Sequence, residues 1–400
     1  MHIHNRIRDR GAAYLRADAA AGTREHHHIA TLEATNAPDT IDSIIMEHTS
    51  STSAHAGERP PAPAPFGPLP VLVYDHGLDP VSRRHTVVRI AAAGGGAGNT
   101  IALETTHVVV PELTSNDYHV TPHGWVFLSE PAAAGTTRRT RLWNPTTGES
   151  VELPRMEQLL PANWKCYLSD DPTAASCVVL VLAMSEPSLL YCHVGATAGG
   201  GWVAHDYDIG DVGLPPSYAP PRRQFISQIA AVNGRFYFAD TGKLGVLEFT
   251  PSPEFSYLDY PHIEFPEGSN FAKSFLVASH GELFDVYVFF KGFTPEILAV
   301  RVCAIDLGGA GDERPAFREV GDLGDRALLL GDANAALLCS ASAHGVKGNR
   351  VYFMHNILEE PDGGPLRVYD LGDGSMETVR PCPGVSELMC KPFWVMPSAP

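Results

Sequence analysis

Six residues between positions 321 and 353 are of the types that hydrolytic enzymes use. They are Asp322, Asp325, Asp332, Ser340, Ser342 and His344. A serine nucleophile needs a histidine base, and the histidine needs an acid that orients it. Ser340 does not lie in a Gly-x-Ser-x-Gly elbow, and no acid can be assigned to His344. Because the Gly-Asp pairs bracket an apolar run, the pattern predicts turn-forming aspartates around a strand, one of which pairs with Arg326.

Three other stretches have residues that could bind ions. The histidines at 26 to 28, with His2 and His4, could chelate a transition metal, but a flexible arm lacks the fixed geometry of a real site. "GGGAGNT" (94 to 100) lacks the Lys-Ser/Thr ending of a phosphate-binding loop and predicts a hairpin tip. Asp170-Asp171 could hold a divalent cation, although a turn before proline is the simpler interpretation. We therefore assign no catalytic, cofactor-binding or metal-binding residues.

Charge and composition exclude several classes of partner. The net charge of −17 would repel a nucleic acid, and the longest apolar run, residues 177 to 184, is too short to cross a membrane. Seven dispersed cysteines without a Cys-x-x-Cys pair indicate reduced thiols. We expect a monomer in the cytoplasm or nucleus. The arginines and alanines of the first 22 residues leave an organelle transit peptide as the alternative, but Asp9 and Asp18 depart from that pattern.

The chain divides into two parts by composition. Residues 1 to 68 hold few aromatic residues and end in a proline-rich run, so we predict a disordered arm and linker. Residues 69 to 398 hold short runs rich in valine, isoleucine, leucine and aromatics at intervals typical of strands, and we identify 19 of them. Because radial repetition of four-stranded blades hides strand edges without helices, the fold class is all-β, a β-propeller of six or seven blades. A short helix is expected only near residues 156 to 160.

Eight phrases in this second part resemble one family. They are "LVYDHG" (72 to 77), "RLWNPTTGESVELP" (141 to 154), "VNGRFYFAD" (232 to 240), "LVASHGELFDVYVFF" (276 to 290), "LGDRALLLG" (323 to 331), "CSAS" (339 to 342), "KGNRVYF" (347 to 353) and "VYDLGDG" (368 to 374). In this order they resemble the plant DUF295 family, also described as the KIB1-4 β-propeller domain. The resemblance covers residues 69 to 398 and implies a Kelch-like propeller without known catalysis, often behind an F-box that recruits a ubiquitin ligase through a Skp1-type adaptor.

The expected F-box is not recognisable. An F-box would be about 40 residues of leucine-rich helix, whereas residues 1 to 68 hold only Leu15 and Leu32. We therefore do not expect a Skp1-type adaptor to bind. The resemblance then implies a non-catalytic propeller that binds an unknown protein client. Two alternatives stay open: an enzyme with an unrecognised site in the propeller channel, and a diverged paralogue with little activity.

The aromatic residues of the strands are expected to fill the spaces between blades. Two others lie in polar surroundings and are our candidates for protein-binding residues on a loop face: Trp164 in "PANWKCY" and Phe271 in "EGSNFAKS".

Overall fold

A computed structural model gives the tertiary structure. It describes residues 64–76, 84–91, 101–131, 136–174, 176–195, 200–212, 222–240, 242–250, 252–261, 263–308, 315–356, 360–385 and 388–397. The predicted arm as far as residue 63, its histidines and the glycine-rich stretch at 94 to 100 lie outside these residues.

Within the described residues the chain forms 25 strands, numbered here in chain order. The first thirteen are β1 (Val71–Asp75), β2 (His85–Ala91), β3 (Ala102–Val108), β4 (Asp117–Val120), β5 (Val126–Ser129), β6 (Thr140–Trp143), β7 (Ser150–Glu152), β8 (Trp164–Leu168), β9 (Val178–Ala183), β10 (Ser188–His193), β11 (Val203–Asp206), β12 (Ile229–Val232) and β13 (Arg235–Asp240). The remaining twelve are β14 (Lys243–Phe249), β15 (Pro253–Asp259), β16 (Ser269–Ser279), β17 (Glu282–Lys291), β18 (Ile297–Asp306), β19 (Ala316–Glu319), β20 (Ala327–Leu330), β21 (Ala335–Leu338), β22 (Arg350–Met354), β23 (Leu366–Asp370), β24 (Met376–Val379) and β25 (Phe393–Val395).

Helix is confined to two single turns in these ranges, α1 (Pro111–Thr114) and a 3-10 turn (Ser342–His344). The helix expected near residues 156 to 160 is not formed. Met156 instead forms an isolated β-bridge to Arg138, and its side chain is buried between blades. No helix of the described residues is long and apolar enough to cross a membrane.

The strands form six sheets, and each sheet is one blade. From the innermost strand outward, blades 1 to 6 are β25-β1-β2-β3, β4-β5-β6-β7, β8-β9-β10-β11, β12-β13-β14-β15, β16-β17-β18-β19 and β21-β20-β22-β23-β24. The fold is an all-β propeller, as predicted, and the blade number is six. Blade 6 differs because β20 pairs parallel to β22, which gives this blade a fifth strand.

The last strand closes the ring. β25 pairs antiparallel with β1, so the end of the described chain supplies the innermost strand of the blade with which the propeller begins. The side chain of Asn334, just before β21, then connects blade 6 to β25. Its amide nitrogen donates to the Trp394 carbonyl at 2.7 Å, and its amide oxygen accepts from the Trp394 N–H at 3.0 Å.

The core consists of apolar layers between neighbouring blades. The strand aromatics predicted to fill these layers are buried; they are Trp125, Trp143, Trp202, Trp394, Phe236, Tyr237, Phe238, Tyr352 and Phe353. Phe66 is also buried, against blades 1 and 2, although it precedes residue 69. Gly245 in β14 is required by this packing, since a Cβ there would lie 2.1 Å from the Phe238 ring.

The aspartates of residues 321 to 353 have different roles. Asp322 accepts from the Gly324 N–H at 2.8 Å, as a turn-forming residue does, and Asp325 accepts from both the hydroxyl and the backbone N–H of Ser342. Hydrogen bonds from Ser342 lower the pKa of Asp325. Arg326 pairs with Glu282 at 2.7 Å rather than with one of these aspartates, which corrects our expectation. Asp332 lies elsewhere, at one end of the central channel.

Candidate functional site

The innermost strands surround a narrow channel. A cavity of about 80 Å³ lies in it, lined by side chains from β4, β8, β12 and β16 and from the β20–β21 turn. The first residues of the innermost strands meet at one end of this channel. We call the face at that end the upper face and the opposite face the lower face. Because a buried water needs about 10–15 Å³, the cavity has room for a few small groups.

Asp332 is the acidic group at the upper end of the channel. Its carboxylate accepts from His355 Nδ1 at 2.9 Å and from the Asn356 N–H at 3.3 Å, and its side chain is only 10% exposed. Burial by itself would raise the pKa of Asp332. The hydrogen bond and charge of His355, with the charges of Lys273 and Lys391, outweigh burial and hold the pKa well below its usual range. Asp332 is therefore ionised at neutral pH and is a weak base.

Three lysines lie at this end of the channel. Lys165 Nζ donates to the backbone carbonyl of Asp332 at 2.7 Å, and Lys273 Nζ lies 5.8 Å from the centre of the Phe275 ring. Lys391, just before β25, is exposed, and its charge and that of Lys273 act on the Asp332 carboxylate. Three ammonium groups and one carboxylate make this end of the channel locally positive in a chain whose net charge is −17. The arrangement favours an anionic group.

His119 lies deeper in the channel wall, on β4. Burial, with the charge of Lys165, lowers the pKa of His119 to about 3. The carbonyls of Ala333 and Cys166 oppose this shift but do not reach the buried ring nitrogens with hydrogen-bonding geometry. The imidazole is therefore neutral at physiological pH. It can donate or accept a hydrogen bond, but it does not match the pKa near 7 that favours general acid–base catalysis.

The upper face also carries apolar side chains. Except for the parallel β20–β22 pair of blade 6, neighbouring strands run antiparallel, so the connections that lead into blades 1 to 5 and the turns between their second and third strands lie on this face. Six exposed large apolar residues lie on or next to these segments: Val109, Leu159, Phe265, Phe293, Leu298 and Met389. The other three in the described residues, Val203, Tyr257 and Met376, lie on outermost strands. Six of the nine exposed large apolar residues of the described ranges thus lie on this face.

Both predicted protein-binding residues lie at the upper ends of innermost strands rather than in loops. Trp164 is the first residue of β8 and is half-buried, with ring centroids 5.6 Å from Phe127 and 6.0 Å from His119. Phe271 lies near the start of β16, half-buried and stacked on Phe290 at 5.3 Å. Part of each side chain thus packs inside the fold, and each is close in sequence to a lysine of the channel, Lys165 or Lys273.

Sequence reasoning missed the channel residues themselves. His119, Lys165 and Lys273 lie in three different strands, and Asp332 has the Gly-Asp pattern of an ordinary turn. A weak signal existed: lysines are uncommon in this acidic chain, and two of them follow the polar-context aromatics that we selected.

Three buried cysteines and two adjacent aspartates have the residue types that thiol and metal sites use. Burial raises the pKa of the Cys177, Cys303 and Cys382 thiols to about 11. In the described residues no three His, Cys, Asp or Glu side chains are grouped closely enough to hold a metal ion. Asp170 and Asp171 form a turn, in which the Asp171 carboxylate accepts from the Thr173 N–H at 2.8 Å.

A search of curated proteins finds no match to the chain. Solved structures with some likeness include a functionally unknown protein from Desulfotomaculum acetoxidans, at 11% identity and a TM-score of 0.35, over 82% of this chain and 89% of that one. Another is the periplasmic gluconolactonase of Pseudomonas aeruginosa, at 13% identity and a TM-score of 0.36, over 82% of this chain and 98% of that one. Neither likeness bears on what this chain binds or does.

The family model of the KIB1-4 beta-propeller matches residues 100–374, which is more than half of the chain and includes strands of all six blades. Seven of the eight phrases on which the resemblance was based lie wholly inside this match, from "RLWNPTTGESVELP" to "VYDLGDG", which ends at its last residue. The propeller fold and the match agree, and the chain belongs to the KIB1-4 beta-propeller family.

Proposed function

We propose that this protein is a non-catalytic interaction module that binds a protein client on its upper face. The observation that carries the proposal is the placement of the six exposed apolar side chains on the segments of that face. By the family resemblance, the propeller corresponds to the client-binding part of an F-box-type receptor. An adaptor-binding part is not recognisable in this sequence.

The charges of the upper face define the client further. Lys165, Lys273 and Lys391 outnumber Asp332 at the channel end, so a client that places a carboxylate there gains attraction, whereas the acidic remainder of the surface repels other acidic chains. We infer a client with an acidic side chain or terminal carboxylate beside an apolar patch.

A purification of the tagged full-length chain from plant cells, quantified by mass spectrometry, tests this function. The variant Phe265→Ser/Phe293→Ser removes exposed rings of the upper face, which are 38% and 56% exposed. We expect it to lose the partner that the wild type retains. Lys391→Gln is expected to weaken the same interaction several-fold, since it removes one charge from the channel end.

The matched control is Val203→Ser/Met376→Ser, which removes side chains of similar exposure, 44% and 40%, from outermost strands. It should retain the partner. A partner lost equally from both variants would place binding elsewhere. No partner at good expression would favour a diverged paralogue with little activity, and saturable turnover abolished by a channel substitution would favour the enzyme.

A further inference from the structure

Cys339 and His280 form a close pair on the lower face. Cys339 directly follows β21, the innermost strand of blade 6, and His280 lies in the turn that joins β16 to β17 in blade 5. Cys339 Sγ lies 3.0 Å from His280 Nδ1, and the side chain of Cys339 is exposed. A thiol in contact with an imidazole nitrogen, at an accessible position, has the geometry of a nucleophile and its base.

A serine lies beside the same imidazole nitrogen. Ser279 Oγ is 2.8 Å from Nδ1, 3.9 Å from Cys339 Sγ and 3.5 Å from the Leu337 carbonyl. Nδ1 has one lone pair, so it accepts the thiol proton in the arrangement in which the Ser279 hydroxyl donates to the Leu337 carbonyl. Since the β16–β17 hairpin and the segment after β21 each belong to the regular frame of the propeller, the pair does not depend on a long loop.

The turn itself makes the histidine unusual. His280 and Gly281 both have positive φ, 50° and 78°, as a two-residue hairpin turn requires. Blade 4 has the same turn between β12 and β13, built from Asn233 and Gly234 with φ of 51° and 80°. Asparagine-glycine is the common solution for such a turn. His280 occupies the position that asparagine has in the blade 4 turn. The turn conformation does not require an imidazole there, and this imidazole lies next to an exposed cysteine.

The other cysteines differ from Cys339. Cys166, Cys177, Cys192, Cys303 and Cys382 are buried, and burial raises the pKa of each thiol. Cys390 is exposed, but its Sγ lies 3.5 Å from the hydroxyl of Tyr118. Burial and neighbouring charges raise the pKa of Tyr118 well above its usual value, so this hydroxyl remains protonated and cannot accept the thiol proton. Cys390 is therefore an internal comparison: an exposed thiol in contact with a phenol hydroxyl instead of an imidazole.

We propose that Cys339 is a reactive thiol, a modification site for hydroperoxides and soft carbon electrophiles, with His280 as the base that takes its proton. With a hydroperoxide, the sulfur forms a bond to the terminal peroxide oxygen while the O–O bond breaks. The sulfur is oxidised to a sulfenic acid, and the peroxide is reduced to an alcohol that takes the proton held by His280. With iodoacetamide, the sulfur bonds to the methylene carbon and iodide leaves.

Alkylation of the reduced full-length chain tests this site. The chain is treated with iodoacetamide at pH 7, and peptide mass spectrometry follows Cys339 and Cys390 separately over time. We expect Cys339 to react about tenfold faster than Cys390. The variant His280→Asn copies the blade 4 turn and so retains the backbone conformation. It should reduce the Cys339 rate to about that of Cys390 while the thermal unfolding temperature stays unchanged.

Equal rates for the two cysteines in the wild type would overturn the proposal, and this comparison needs no variant to fold. A Cys339 rate unchanged in a folded His280→Asn protein would overturn the role of the base. Ser279→Ala serves as a second variant: it retains the imidazole, so the Cys339 rate should stay well above that of Cys390. Because the site lies on the lower face, alkylation should leave client binding on the upper face intact, which keeps the two proposals separately testable.

Discussion

Asp285 illustrates what a single residue contributes inside this fold. It lies on β17 and is 1% exposed, and its carboxylate accepts hydrogen bonds from the hydroxyls of Tyr260 and Tyr287. Burial raises the pKa of Asp285 to about 6, against the opposing effect of those hydrogen bonds. A buried acid of this kind is a structural link between blades 4 and 5 that responds to pH.

Asp285→Asn is expected to change how stability depends on pH. Between about pH 4 and pH 6 the folded chain holds a proton on Asp285 that the unfolded chain has released. Raising the pH through this window therefore destabilises the wild type by up to about 3 kcal/mol relative to Asp285→Asn, and the difference is constant above it. Denaturant unfolding of both proteins from pH 4 to pH 8 measures this.

The comparison between the two proteins isolates the effect. Acids with lowered pKa values, such as Asp332, give the opposite dependence, but they are present in both proteins. Parallel stability curves for wild type and variant would show that Asp285 does not titrate in this window.

At the scale of the element, the strands that sequence reasoning found and those that it missed differ in position. The identified runs include the second and third strands of the blades, such as residues 177 to 184 (β9), which is buried along its whole length, and also some innermost and outermost strands, such as β12 and β24. The missed strands are all innermost, such as β4 and β8, or outermost, such as β19. The missed innermost strands combine channel-lining polar residues with core residues, and the missed outermost strands are largely exposed, so these strands lack the apolar run or clear alternation that identifies a strand.

The closing strand shows the same limit. β25 is only three residues long, Phe393–Val395. So short a run does not indicate that it pairs with β1, a strand more than 300 residues earlier in the chain. Its place depends on the Asn334 side chain and on the burial of Trp394, both of which exist only in the closed ring.

Asn334→Ala is expected to lower the free energy of unfolding by about 2–4 kcal/mol, since it removes two buried hydrogen bonds and leaves the Trp394 N–H and carbonyl unsatisfied. Chemical denaturation measures the change. Asn356→Ala is the matched control, because it also removes two hydrogen bonds, at 2.7 and 2.8 Å, but both of them join Asn356 to the backbone of Glu360, four residues later in the chain. A cost for Asn334→Ala no larger than for the control would show that this contact does not hold the ring closed.

At the scale of the whole molecule, the boundary of the propeller can be tested by deletion. Phe66 is 2% exposed and packs with residues of blades 1 and 2, although composition placed it in the linker. Removal of residues 1–63 is expected to leave thermal unfolding unchanged. Removal of residues 1–68 should destabilise the propeller by about 3–5 kcal/mol, as the loss of a buried phenylalanine does.

Differential scanning calorimetry of the two deletions, with Phe66→Ala as a third protein, measures this. If both deletions unfold like the full chain, Phe66 contributes little and the boundary lies at residue 69 as composition suggested.

The sequence by itself determined the class of fold, the family and the nature of the core. Recurring short runs of β-forming residues, with turns between them, specify many antiparallel strands, and their number specifies a propeller. Only the tertiary structure decided the number of blades, the closing partner of β25 and the two sites. Lys165, Lys273 and Asp332 are far apart in sequence, as are His280 and Cys339, and each group meets because innermost strands of different blades begin and end at the same places. Such meetings depend on contacts between blades, which no local pattern in the sequence encodes.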